Sequence, residues 1–259
     1  MSFGYVESLA FLFIFLRISG IFIITPFFSN NAINTKLKLG ITFLLSYILF
    51  PIVPKNMVII KNLSVYSFFY LSIKEILIGL IIGFFILMVF TAFESAAQIY
   101  SMDMGFGMLS VFDPLSQVQM PVLGQVNYIF LILVFFNLGI HRLIILTIAN
   151  TFYKFQIGDL NYNIEGITKY ISVNFVYYFT LSLKIALPIA GILFLTNVIL
   201  GVMARIAPQM NVFFIGMPLK ILLGFFILFS LVPYFFNLIK IILDDGMEKV
   251  YKLISIMFI

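Results

Sequence analysis

Residues able to do chemistry are few in this chain, and their types exclude most chemistries. Histidine occurs once, at His141, and cysteine not at all. A multi-histidine metal cage, a thiolate metal site, a disulfide and a cysteine nucleophile are therefore ruled out within the chain. His141 and Arg142 form a lone polar pair inside an apolar run, which suits a helix end or a turn better than a general base. Arg17, Lys184 and the adjacent Lys74 and Glu75 also stand within apolar runs. Each such charge costs roughly 2.5–3.5 kcal/mol at a bilayer centre. Two roles would justify that cost: a proton or ion relay, or pairing with a neighbouring helix or subunit. Lys184 lies well inside its run with no acid in the same run to continue a relay, which favours pairing. Lys74 and Glu75 point to different faces of a helix and need separate partners. No GxxxxGK[ST], GxSxG, HExxH or dinucleotide fingerprint is present. The chain therefore does not read as an enzyme, and no cofactor is expected.

The elements that hold these residues follow from composition. Of 259 residues, 63% are apolar or aromatic and only 10% are charged, with a mean hydropathy of +1.18. A soluble domain carries about 25% charged residues, so these few charges could not cover a surface in water. The fold class is an all-α membrane protein of about six hydrophobic helical segments, at 6–28, 39–53, 65–93, 126–152, 175–204 and 212–243. The runs are continuous, whereas strands of a membrane barrel alternate apolar and polar residues. Their lengths are uneven: 39–53 is short for a crossing that needs about 20 residues, and others are long enough to tilt, kink or project. Pro188, Pro218 and Pro233 supply kink points. The first thirty residues carry Glu7 and Arg17 and read as a retained helix rather than a signal peptide. Assigning loops to alternate sides gives seven lysines against three Lys or Arg, which places both termini in the cytoplasm. The net charge of +5 is scattered singly between runs, so no groove for nucleic acid is expected.

Three stretches depart from the plain membrane pattern. Residues 94–125 carry Glu94, Asp103 and Asp113 with no basic residue, and four of the twelve methionines. Gly105 and Gly107 flank Phe106, and Pro114 and Pro121 forbid a continuous helix. This mixed loop either lines and closes a pore, with Phe and Met side chains as a deformable seal, or lies on the bilayer surface. Gly79 and Gly83 stand four apart in the third run, a spacing that lets helices approach closely. Around 204–211, Arg205, Pro208 and Asn211 form a polar turn between two long runs, a tight helical hairpin in which Asn211 begins the second helix. The chain thus reads as one domain, 1–259: helices in 1–93, a loop at 94–125 and helices in 126–259.

Two of these stretches resemble the FliR family of flagellar type III export-gate proteins. The first runs from Gly105-Phe106-Gly107 through Asp113-Pro114 to Gln119-Met120-Pro121-Val122-Leu123-Gly124-Gln125. The second is Ala204-Arg205-Ile206-Ala207-Pro208-Gln209-Met210-Asn211-Val212-Phe213, continuing to Gly216-Met217-Pro218-Leu219-Lys220-Ile221. Segment order and the early Arg17–Gly20 followed by Pro26 agree as well, so the resemblance covers the whole chain. It implies assembly with the membrane proteins FliP and FliQ into a helical, tapering export gate, with FlhB wrapping the cytoplasmic opening. It implies passage of unfolded flagellar subunits, and a place in the bacterial inner membrane at the flagellar basal body, partly raised toward the periplasm. It assigns the loop at 105–125 as the plug of the closed channel, with Gly105, Phe106, Gly107, Met108, Leu109 and Val111 as plug residues. Gly79, Gly83, Lys184, Arg205, Pro208 and Asn211 are the expected assembly and packing residues. Injectisome relatives share the architecture and are the alternative. A secondary transporter, with Lys184, Arg17 and Glu75 around a substrate, is disfavoured because the chain has no repeated halves.

Overall fold

The computed structural model describes residues 4–29, 33–53, 64–106, 122–154, 163–209 and 211–257, and among these no strand occurs. The helices, numbered in chain order, are α1 Tyr5–Ile24, α2 Pro26–Ser29, α3 Thr35–Leu49, α4 Val65–Asp103, α5 Val122–Asn137, α6 Ile140–Lys154, α7 Ile164–Ile206 and α8 Val212–Ile256. Each apolar run becomes helix, but not each is long enough to span a membrane by itself. Four helices among the described residues are long and apolar enough to span, and α5 with α6 would make a fifth if the pair is one broken span. The run at 39–53 yields α3, whose 15 residues reach only about 22 Å. The lysine tally assumes that every run crosses, and α3 is too short to supply that assumption by length.

Helicity extends beyond apolarity where nothing interrupts it. The helix α4 continues ten residues past 93, to Asp103, into the stretch read as loop. Its added segment contains no glycine or proline, and Ala96, Ala97, Tyr100 and Ser101 are buried there, while Glu94 and Asp103 are only half-buried. The first true interruption is Gly105, at φ +99°. In the same way α7 starts at 164 because the Asn163 side chain accepts from the Gly166 N–H at 2.7 Å, capping the helix. At the other end of the chain α8 runs on through Asp244–Lys252, where Lys249 pairs with Asp245 at 2.7 Å one turn earlier. Pro188, Pro218 and Pro233 all lie inside α7 and α8, each removing one helical hydrogen bond. His141 and Arg142 stand in the first turn of α6, just after Gly139 at φ +70°, and the Arg142 N–H donates to the Gly139 carbonyl at 2.9 Å.

The chain divides into two compact units. The first comprises Met1–Val89, Gly139–Val173 and Leu243–Ile259. Its centre is the crossing of α1 with the first half of α4. On α1 the buried residues Ala10, Phe13, Ile14, Arg17, Ile18 and Ile21 recur at three- and four-residue intervals and form one face. Glycines bring the two backbones together: a Cβ on Gly20 would lie 2.5 Å from the Ile76 carbonyl oxygen and 3.1 Å from the Gly79 Cα, and one on Gly83 would lie 2.8 Å from the Ile21 carbonyl oxygen. The helix α3 packs on α1 through Phe11 and Phe43, edge to face at 5.2 Å. Its buried positions include Thr42 and Ser46, whose hydroxyls donate to carbonyls one turn back at 2.8 and 2.7 Å, so no polar group is left unmet there. Tyr170 stacks on Phe85 at 5.6 Å and donates its hydroxyl to the Lys249 carbonyl at 3.3 Å.

The second unit comprises Phe90–Leu138 and Asn174–Ile242. Within it Asn127 on α5 donates to the Phe93 carbonyl at 3.2 Å, and Phe90 meets Phe135 edge to face at 5.7 Å. The turn at 207–211 folds α8 back on α7: a Cβ on Gly216 would lie 2.9 Å from Leu200 Cδ1, each eight residues from Pro208. This is the helical hairpin expected at 204–211, with α8 antiparallel to α7.

Candidate functional site

The end of α4 prepares the point at which the chain leaves it. Met104 is fully buried and its side chain fills the space above Gly224 of α8, against which any Cβ would collide. The Met104 and Gly105 N–H groups donate back to the Tyr100 and Met102 carbonyls at 2.9 and 3.0 Å. Gly105 then takes φ +99°, a conformation that side chains with a Cβ rarely adopt. The turn delivers Phe106 edge-on to Phe225 of α8, with ring centroids 6.4 Å apart and planes at 86°. Met217 of α8 lies 3.8 Å from where a Gly105 Cβ would be. Beside this seat is a cavity of about 190 Å³, lined chiefly by Tyr100, Leu123, Asn127, Phe225 and Phe229. Among the described residues the arrangement offers no nucleophile or acid–base pair; it is an apolar seat for an aromatic side chain at a glycine turn.

Of the expected plug residues, Gly105 and Phe106 occupy that turn, whereas Gly107, Met108, Leu109 and Val111 lie outside the described residues. Gly79 and Gly83 are found at the α1–α4 crossing of the first unit. Lys184, Arg205, Pro208 and Asn211 belong to the second unit. Lys184 and Arg205 are exposed on α7, Pro208 is exposed in the turn, and the Asn211 carbonyl accepts from the Phe214 N–H at 3.1 Å as α8 begins.

A second polar site was only half legible. Arg17, fully buried on α1, donates from Nε to Glu75 of α4 at 2.6 Å and from a terminal nitrogen to the Thr151 hydroxyl of α6 at 3.1 Å. Its guanidinium lies 4.1 Å from the Phe152 ring centroid, a cation–π contact. For Arg17 and Glu75 the contact present is pairing between helices. Lys74, on another face of α4, is half-buried. Nothing in the sequence pointed to Thr151 or Phe152.

An all-helical chain with buried inter-helix charge, paired glycines and a glycine-turned aromatic seat matches a known family over nearly its full length. A family model for bacterial export proteins, family 1, covers residues 8–246. The chain belongs to that family. Similarity to individual members is broad. Flagellar biosynthetic protein FliR of Bacillus subtilis strain 168 is 28% identical over 250 residues, 95% of each chain. FliR of Escherichia coli K12 is 31% identical over 223 residues, 84% of this chain and 82% of its own. FliR of Aquifex aeolicus is 28% identical over 239 residues, 92% and 89% respectively. The resemblance carried by the two motif stretches is thus a whole-chain relationship, and in this family-1 export protein the first of those stretches begins at the Gly105 turn.

Proposed function

We propose that the chain is a subunit of the flagellar type III protein export gate. It is a helical membrane component that forms, with FliP- and FliQ-like proteins, the channel through which unfolded flagellar subunits cross the bacterial inner membrane. In this reading an FlhB-like protein lies at the cytoplasmic opening and part of the particle stands toward the periplasm. The loop at 105–125 closes the resting pore by apolar contact. Family membership supports the export role, and the names of the relatives support flagellar over injectisome duty.

The observation that carries the closure mechanism is the seat of Phe106. A glycine at positive φ leads the chain out of α4 and sets an aromatic ring on Phe225, in surroundings that supply methionines and an apolar cavity rather than charges. Contacts of this kind exclude water and ions, and a passing polypeptide can replace them without a chemical step. The transporter reading gains no such support. Arg17 and Glu75 are bound to each other, and Lys184 is exposed.

The test is conductance. The chain is co-expressed with FliP- and FliQ-like partners, the particle is purified in mild detergent, and single particles are placed in a planar bilayer. Wild-type particles should hold a closed baseline, whereas particles lacking residues 105–111 should pass ions steadily. An unchanged baseline in an intact deletion particle would sink the plug assignment. Recovery of the chain as a lone monomer or homodimer would sink the gate itself.

A further inference from the structure

We propose that the cavity beside the Phe106 seat is a binding site for a small aromatic molecule carrying one hydroxyl, a ligand of the phenol class. The proposal goes beyond the export-gate reading and does not depend on it.

The cavity lies wholly within the second unit, between the last turn of α4, the first half of α5 and the middle of α8. Its volume of about 190 Å³ exceeds the ~150 Å³ at which an apolar cavity takes up benzene, and leaves room for one small substituent. Aromatic rings line it, on Tyr100, Phe130, Phe225, Phe229 and Phe235, and a ring packs well on other rings edge to face or offset. Tyr100, Leu123 and Phe235 are buried, whereas Val126 and Phe229 are exposed. The cavity therefore has a closed floor and an open rim, and a ligand can enter without unfolding the helices. An occupant would lie against Phe225, the ring on which Phe106 rests.

Two polar groups in the lining select the ligand. Tyr100 is only 2% exposed, yet among the described residues its hydroxyl meets no hydrogen-bond partner. A buried tyrosine ordinarily finds one. Asn127 spends its amide N–H on the Phe93 carbonyl at 3.2 Å, which leaves its side-chain oxygen to accept from elsewhere. A hydroxyl on the ligand answers both, since its oxygen accepts from Tyr100 and its proton goes to Asn127. An ether answers Tyr100 alone, and a hydrocarbon or a lipid tail answers neither. A buried polar group left unmet is costly, so affinity should fall in that order.

Affinity can be read from the fluorine signal of 4-fluorophenol added to the full chain in lipid nanodiscs, against nanodiscs without protein. The line should broaden more with the chain present, and unlabelled phenol should reverse the excess. Anisole should compete more weakly than phenol, and toluene about tenfold more weakly. Tyr100→Phe removes one oxygen that no described residue holds, so the fold should stand while 4-fluorophenol binds about tenfold more weakly. Tyr66→Phe, at an exposed tyrosine of the first unit, should leave binding unchanged. Broadening no greater than in protein-free nanodiscs would overturn the proposal. Equal competition by toluene and phenol, which needs no variant, would overturn it too and mark the cavity as one for lipid tails. Equal binding by Tyr100→Phe and wild type would place the phenol elsewhere. These readouts require no partner protein, so failure of the chain to join a multi-protein particle would remove the gate reading and leave this one to stand or fall by itself.

Discussion

Glu75→Ala should destabilise the chain by about 3–5 kcal/mol, because it leaves a fully buried guanidinium without its carboxylate. Arg17 and Glu75 expose only 0% and 3% of their side chains, so solvent cannot screen the stranded charge. Thr151 offers one hydroxyl and Phe152 one ring face, and neither replaces a full negative charge. Replacing both partners with apolar residues, as in Arg17→Met with Glu75→Leu, should cost far less, since a buried ion pair is often no more stabilising than packed hydrocarbon. The measurement is thermal unfolding in one detergent, followed by size-exclusion profile, for wild type, each single variant and the double. Single variants as mild as the double would mean that the pair does not hold α1, α4 and α6 together.

Gly79→Leu should have an effect of similar size through a different cause. A Cβ built on Gly79 would collide with the Arg17 carbonyl oxygen and lie 3.0 Å from the Gly20 Cα, so a side chain meets backbone, which cannot rotate aside. Overpacking of a core ordinarily costs about 1–3 kcal/mol, and this site belongs at or beyond the upper end of that range. Because the same crossing aligns Arg17 with Glu75, separating the helices also strains the ion pair, and Gly79→Leu combined with Glu75→Ala should be less than additive. Gly40→Ala, inside α3 where a Cβ meets nothing within 4 Å among the described residues, is the open-site control and should not destabilise. Equal melting of Gly79→Leu and wild type would show that α1 and α4 do not pack through these glycines.

Arg17 and Gly79 also show how far one-dimensional reading reaches. That charges inside apolar runs need partners follows from the cost of desolvation, which depends on residue type and local hydrophobicity alone. That Gly79 and Gly83 open a helix surface follows from their spacing. Neither argument names the opposing residue. Arg17 and Glu75 are separated by 58 positions, and Arg17 and Thr151 by 134, and the contact depends on how three helices cross. The end of α4 lies beyond the apolar run for a related reason. Charges and methionines after Phe93 suggest a loop, yet they do not stop a helix, and α4 is left only where Gly105 takes φ +99°.

From sequence alone came the all-helical membrane class, the family, the hairpin at 204–211 and the glycine turn at 105. These rest on composition, repeat length and backbone permissiveness, which act over a few neighbouring residues. Tertiary structure alone decided that Glu75 and Thr151 hold Arg17, that Met104 fills the space over Gly224, and that Phe106 rests on Phe225. It decided too that Lys184 is exposed on α7. Those outcomes depend on which faces of distant helices meet, and that is determined by packing across the whole chain, beyond the reach of any local pattern.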